Sequence, residues 1–198
     1  MRMISKLFFL LVLLPSVALA QQELSAPFMI KHFKDNPIVC YDPEGGSGCS
    51  SIEEYSFLTG SKGLVVGSVA FEVDRRQYLR MTVSTPISVK GNSFCFRGAQ
   101  PIRDAHLEIV NKLNYQGNFR RSPLPASAQE LVEKQFLNPM TALLGSSTVC
   151  TKFNLPKARD KTYEVGYVTY LDGEVMDEGR AFIYGRNAAS QLILTPGE

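Results

Sequence analysis

Apolar and polar side chains alternate along most of this chain, and a two-residue period is typical of β-strands with one buried face. Asp172 and Gly173 form a turn dipeptide between two such runs, which predicts a β-hairpin. The predicted strands cover residues 37–41, 52–58, 64–74, 78–89, 93–96, 148–153, 163–170 and 180–184.

A helical pattern replaces the alternation in one region. Ser127 and Glu130 match the S-x-x-E capping box, in which each side chain bonds the other residue's backbone N–H, and this predicts a helix over 128–137. An Asn-Pro step follows and favours a second short helix over 139–144. Gly145 is placed to end that second helix.

Residues 102–115 are compatible with two structures. Ile102, Ala105 and Ile109 are three or four residues apart, as on one face of a helix, whereas Leu107 and Ile109 alternate as in a strand. We favour the helix for this segment.

These patterns together predict an α+β fold. It consists of a mainly antiparallel, sandwich-like β-sheet with one or two short helices inserted around residues 126–145. Residues 49–74 and 150–173 each run from a cysteine through a strand and a polar loop to a glycine-containing strand. A duplicated β unit is one explanation of this likeness, and chance similarity between strands is the other.

The first twenty residues have the pattern of a secretory signal peptide. Arg2 and Lys6 flank the start of an apolar run of about a dozen residues, which is shorter than the roughly 20 that span a bilayer. Ala18 and Ala20 form an A-x-A site, so we expect cleavage after Ala20; an N-terminal membrane anchor is the alternative. The expected product is one domain over 21–198, without a membrane span, in a bacterial periplasm or secreted.

Removal of that segment changes the net charge. The whole chain has 21 basic and 19 acidic residues, and two of the basic ones lie in the first twenty. Residues 21–198 therefore carry 19 of each sign and a formal charge of zero. Because nucleic-acid binders normally have a basic excess that neutralises phosphates, we expect no nucleic-acid partner.

Four cysteines, an even number in a chain expected to be exported, predict two disulfides. Cys40 and Cys49 flank a glycine-rich turn and are predicted to pair, which leaves Cys95 to pair with Cys150. The chain-entropy model gives about 2.5–3 kcal/mol for the short loop and about 4 kcal/mol for the long one. No C-x-x-C motif occurs, and we predict no metal and no cofactor.

Residues suited to catalysis are few. Neither a Walker A loop nor a G-x-S-x-G elbow occurs in the sequence. The candidates are Asp104 with His106, a carboxylate close to a general base, and Asp172 with Glu174 at the acidic hairpin turn. We favour a surface or half-buried position near a helix start for the His106 pair and a solvated hairpin tip for the acidic pair over a catalytic role.

The main functional hypothesis is a non-enzymatic, disulfide-stabilised envelope protein that binds a protein or another cell-envelope macromolecule, as inhibitor, immunity factor or assembly accessory. The alternatives are a periplasmic hydrolase using carboxylate acid–base chemistry and a carrier of a small apolar ligand. An enzyme should show a cleft with converging titratable groups, a binder an exposed apolar patch, and a carrier an enclosed apolar cavity.

Overall fold

The computed structural model shows a chain built mainly of β-strands. It describes residues 25–41, 48–74, 77–98, 104–111, 121–160 and 162–196. The predicted signal peptide over 1–20 lies outside the described residues and stays a prediction. In chain order the elements are α1 (Ala26–Asp35), β1 (Ile38–Tyr41), β2 (Gly48–Cys49), β3 (Ser51–Thr59), β4 (Lys62–Asp74), β5 (Gln77–Lys90), β6 (Ser93–Arg97), β7 (His106–Val110), β8 (Arg121–Pro123), α2 (Ala126–Val132), a π-helical turn (Glu133–Leu137), α3 (Asn138–Leu144), β9 (Thr148–Phe153), β10 (Lys157–Arg159), β11 (Thr162–Leu171), β12 (Glu174–Tyr184), a 3-10 helix (Ala188–Gln191) and β13 (Ile193–Leu194).

Eight antiparallel strands close into a barrel. β1, β3, β4, β5, β6, β9, β11 and β12 each pair with the next in that order, and β12 returns to pair with β1. The predicted sandwich-like α+β sheet is therefore wrong. Alternation assigns one face of each strand to the core, but it does not show that the two edges of an open sheet, β1 and β12, pair with each other and close it.

The strand positions themselves are confirmed, because each of the eight predicted strands corresponds to one strand of the barrel. The β11–β12 hairpin is also confirmed. Its turn residues Asp172 and Gly173 both have positive φ, 50° and 95°, as a two-residue type I′ turn requires.

Both predicted disulfides are present. Cys40–Cys49 joins β1 to β2, and Cys95–Cys150 joins β6 to β9. Cys95 and Cys150 are direct cross-strand partners, so this bridge lies across one ladder of the barrel wall.

The β4–β5 hairpin continues beyond the rim of the barrel. There β5 pairs with β7 over Tyr78–Thr82, and β7 pairs with β8. The helix favoured within 102–115 is therefore wrong for the described part of that segment. Ile109 pairs with Leu79 of β5, and this long-range ladder decides in favour of the strand.

A continuous helical segment, formed by α2, the π-helical turn and α3, covers one face of this extension. Val132 and Leu137 are buried and pack with Leu79. The two helices lie where they are predicted, and Gly145 ends α3 with φ of +46°. Residues 49–74 and 150–173 supply strands to different parts of the barrel, and their duplication stays a prediction.

The predicted capping box is wrong. α2 begins at Ala126, its N-cap is Pro125, and no side chain caps it, so Ser127 already lies inside the helix. Pro139 does not end the helical segment, although its ring would crowd an ordinary α-turn. The π-helical turn just before it widens the backbone there, and the Asn138 N–H bonds the Glu133 carbonyl five residues back.

α1 packs into one end of the barrel. Ser25 caps its N-terminus, where the Ser25 hydroxyl accepts a hydrogen bond from the Phe28 N–H. Met29 and Phe33 are fully buried within the main core cluster. The Phe33 ring centroid lies 4.7–5.2 Å from the ring centroids of Tyr55, Phe94 and Phe153.

Candidate functional site

The other end of the barrel is a polar mouth. α1 precedes the start of β1, whereas Tyr41 at the end of β1 reaches the mouth. A cavity of about 230 Å³ opens there. We call it the mouth cavity; it is lined by Tyr41, Ser50, Ser51, Glu53, Phe96, Val149, Thr151, Tyr167, Thr169, Met176 and Asp177.

Glu53 is a carboxylate on the inner face of the barrel. The alternation of β3 places it on the same face as Tyr55, which belongs to the main core. The Tyr41 hydroxyl donates to Glu53 Oε2 at 2.6 Å, and the Tyr55 hydroxyl donates to the same oxygen. Both tyrosines are almost fully buried, at 7% and 4% exposure, so this carboxylate is held by two fixed donors.

A second carboxylate lies at the rim. The Tyr167 hydroxyl donates to Asp177 Oδ2 at 3.0 Å, and Asp177 is solvent-exposed. The Tyr167 ring meets the Tyr41 ring edge-on, with centroids 4.9 Å apart, which connects the rim to the Glu53 cluster. Thr151 and Thr169 add a pair of hydroxyls 3.1 Å apart.

Burial decides the protonation of this cluster. It raises the pKa of the Glu53 carboxyl, and the hydrogen bonds from Tyr41 and Tyr55 oppose that rise. Burial and then the Glu53 charge raise the pKa of both tyrosines well above their ordinary range. The two hydroxyls therefore remain hydrogen-bond donors at physiological pH.

The predicted pair Asp104 and His106 lies at the start of β7. Both residues are exposed, and His106 Nε2 is 3.9 Å from Glu108 Oε2. Neither lines the mouth cavity. Their proposed catalytic role stays a prediction that this cavity does not support.

The other predicted pair, Asp172 and Glu174, lies at the β11–β12 turn. Asp172 Oδ1 accepts a hydrogen bond from the Thr148 N–H at 2.7 Å. Hydrogen bonds from the Ser147 side chain and from Thr148 lower the pKa of Asp172, so this carboxylate ties the hairpin turn to β9. Glu174 is exposed, and neither acid lines the mouth cavity.

The cavity residues Glu53 and Asp177 were not among the sequence candidates for catalysis. The sequence does contain one indication for Glu53, which lies two residues before Tyr55 and therefore on the same face of the predicted strand. Charged side chains are rarely found on a buried face unless they have a partner, so such a position indicates a candidate site. Asp177 belongs to the acidic run after the hairpin turn. Its ladder partner on β11 is Thr169, and Tyr167, two residues from Thr169, is its hydrogen-bond partner, so the pairing of β11 with β12 brings Tyr167 and Asp177 together.

The surface also carries an apolar stripe on the helical segment. The stripe consists of Leu131, Phe136, Met140 and Leu143, which are 41–56% exposed. In sequence, two of these residues precede Leu137 and two follow it, and the Leu137 side chain itself is buried.

Two hollows on the surface are larger than the mouth cavity, at about 550 and 600 Å³. Both are grooves lined mainly by exposed side chains, without the buried titratable groups of the mouth cavity.

Two further features bear on the class of protein. Among the described residues, no group of three or more His, Cys, Asp and Glu side chains is arranged to hold a metal ion. Within the same ranges, no helix is both long and apolar enough to cross a membrane. Comparison with known proteins finds no matching family model, curated protein or solved structure.

Proposed function

We propose that this chain is an exported, non-catalytic binding protein whose mouth cavity receives a positively charged group of a macromolecular partner. Export is supported by the signal-peptide pattern of residues 1–20. The two disulfides suit an oxidising compartment such as the periplasm or the exterior.

The charge of the mouth cavity carries this proposal. Glu53 and Asp177 line it, and none of its described lining residues is Lys, Arg or His. Carboxylates in a concave, partly dehydrated site attract cations more strongly than they do in open water. Tyr41 and Tyr167 also line the cavity, and a cation that contacts the face of either ring would gain a further attraction.

The size of the cavity favours a group on a larger partner over a free ligand. Pockets for small molecules usually measure about 300–1,000 Å³, and this one measures about 230 Å³. The rest of the barrel interior is filled by the aromatic and aliphatic side chains of the main core cluster, which include Met29 and Phe33 of α1. The apolar-carrier hypothesis therefore has less support than insertion of one side chain.

The apolar stripe supports a macromolecular partner independently. Exposed apolar patches are typical of protein interaction surfaces, and the stripe leaves four large apolar side chains in contact with solvent. Met176 adds an apolar residue at the mouth itself, where it is 49% exposed.

Titration of residues 21–198 with short peptides tests the proposal. Isothermal calorimetry and amide chemical shifts should show binding of cationic peptides at the mouth cavity, weakened by salt, and no comparable binding of neutral or anionic peptides. Glu53→Gln and Asp177→Asn should each weaken binding about tenfold, whereas the exposed control Glu174→Gln should not. Equal binding of neutral peptides would contradict the proposal.

A carboxylate hydrolase is the second candidate, because burial raises the pKa of Glu53 as in general acids. Turnover of cell-wall glycans or peptides by the wild-type chain, abolished in Glu53→Gln, would support this activity. Binding without turnover would support the main proposal.

A further inference from the structure

We infer that the cationic group entering the mouth cavity is a primary ammonium and that Glu53 Oε1 selects it over a guanidinium. This inference rests on the proposed function, because it names the chemistry of the ligand for the same cavity. In each of the two carboxylates of the cavity, one oxygen atom already accepts a hydrogen bond from a tyrosine hydroxyl.

The two oxygens of Glu53 are not equivalent. Tyr41 and Tyr55 both donate to Oε2. Oε1 accepts no hydrogen bond from the described part of the chain. Gly67 is the ladder partner of Glu53 on β4 and has no side chain to cover this carboxylate; a Cβ there would lie 3.7 Å from Glu53 Cγ and 3.9 Å from Oε1. Glu53 therefore offers a ligand one acceptor atom.

Asp177 is engaged in the same one-sided way. Tyr167 donates to Oδ2, and Oδ1 accepts no hydrogen bond within the described ranges. The mouth cavity thus presents single carboxylate oxygens on two different strands, with tyrosine rings between them.

This arrangement suits one cation better than the other. A guanidinium gains strength and orientation by donating two parallel hydrogen bonds to both oxygens of one carboxylate. Here each carboxylate has one oxygen occupied by a tyrosine hydroxyl. An ammonium is compact and has three donors that can be directed to separate single acceptors.

The rim indicates what the ammonium is attached to. Met176 lines the cavity, and its side chain is half-exposed. Apolar rim residues can pack against the methylene stem of a long side chain. A lysine of a partner protein combines such a stem with a primary ammonium.

A selectivity measurement on residues 21–198 tests the inference. The probes are n-butylammonium, n-butylguanidinium, glycinamide and n-butanol, titrated by calorimetry and by amide chemical shifts at pH 7 and low salt. We expect n-butylammonium to bind at least about fivefold more tightly than n-butylguanidinium or glycinamide, and n-butanol not to bind. Tighter binding of glycinamide would indicate that the bound ammonium is the N-terminus of a chain, and would overturn its assignment to a lysine side chain.

The outcomes separate the two proposals. If n-butylguanidinium binds as well as n-butylammonium, the selectivity inference is overturned, whereas the proposed binding of cations by the mouth cavity stands. If neither cation binds, both fail. In the double variant Tyr41→Phe and Tyr55→Phe, both Glu53 oxygens become available, so the preference for ammonium should fall, while Glu174→Gln should retain it. Circular dichroism checks that the variants fold. If the double variant does not fold, the ratio of the wild-type affinities for n-butylammonium and n-butylguanidinium alone decides.

Discussion

Phe33 offers the most direct test of how α1 closes the barrel. This side chain is fully buried, and its ring lies within 5.2 Å, centroid to centroid, of the rings of Tyr55, Phe94 and Phe153. In Phe33→Ala those three rings lose their common neighbour and a cavity opens in the main core. We therefore expect a large loss of stability.

The size of that loss follows from the burial. Fully buried Phe→Ala substitutions cost about 3–5 kcal/mol, from lost transfer free energy plus the residual cavity. Aromatic pairs add about 0.5–1.5 kcal/mol beyond the buried area, so Phe33 with three such pairs belongs near the middle of that range or above it. A loss of about 4 kcal/mol should lower Tm by roughly 8–16 °C in a domain of this size.

Urea denaturation with the disulfides intact measures this loss, followed by circular dichroism and by tyrosine fluorescence, since the chain has no Trp and 8 Tyr. Phe28→Ala on the same helix is the matched control. Phe28 is 44% exposed, and its replacement should cost less than about 1 kcal/mol. A loss below about 1.5 kcal/mol for Phe33→Ala, or one equal to that of the control, would refute the insertion of α1 into the barrel.

Replacing Cys95 and Cys150 by serine opens a loop of 55 residues and should cost about 4 kcal/mol, roughly 1.5 kcal/mol more than opening the short bridge. Denaturation of the two double variants checks that order, and a reversed order would count against it. Burial lowers the pKa of His32 below its ordinary value of 6.5. Stability should be complete above that value and should fall as pH drops from it towards the lowered pKa, because the unfolded chain takes up a proton that the native chain does not. Urea midpoints across pH 5–8 should therefore rise with pH more steeply in the wild-type chain than in His32→Gln; equal slopes in the two would contradict this account. Gly63→Ala would place a methyl group 2.6 Å from the Ser56 carbonyl oxygen, and thermal denaturation should show a loss of about 1–3 kcal/mol. Gly185→Ala, with its nearest contact at 3.7 Å, should change stability by far less.

Local chemistry in the sequence accounts for much of the framework. The two-residue period locates all eight barrel strands, because alternation only requires that one face of each strand be buried. The turn at Asp172 and Gly173 depends on backbone preferences of two adjacent residues. The pairing of Cys40 with Cys49 follows from a short, turn-rich loop, and it leaves one partner for each remaining cysteine.

Long-range contacts explain why the favoured helix within 102–115 and the capping box were wrong. β7 is a strand because Ile109 and its neighbours pair with β5, and this partner outweighs a helical spacing of apolar residues. Ser127 lies inside α2 because the helix begins at Ala126, just after Leu124 packs with Leu79 of the β4–β5 extension. Neither partner can be recognised from residues close in sequence.

The candidate site separates most clearly what local sequence determines from what long-range contacts decide. The sequence by itself determined that the chain forms alternating strands, two disulfides and a tight final hairpin, since each depends on residue periodicity, turn preference or cysteine spacing. Only the tertiary structure decided that the sheet closes, because β12 must find β1 across most of the chain. That closure brings Tyr41, Glu53 and Tyr167 into one cavity and withdraws the Glu53 carboxylate from water. Their shared chemistry is therefore a property of the closed barrel.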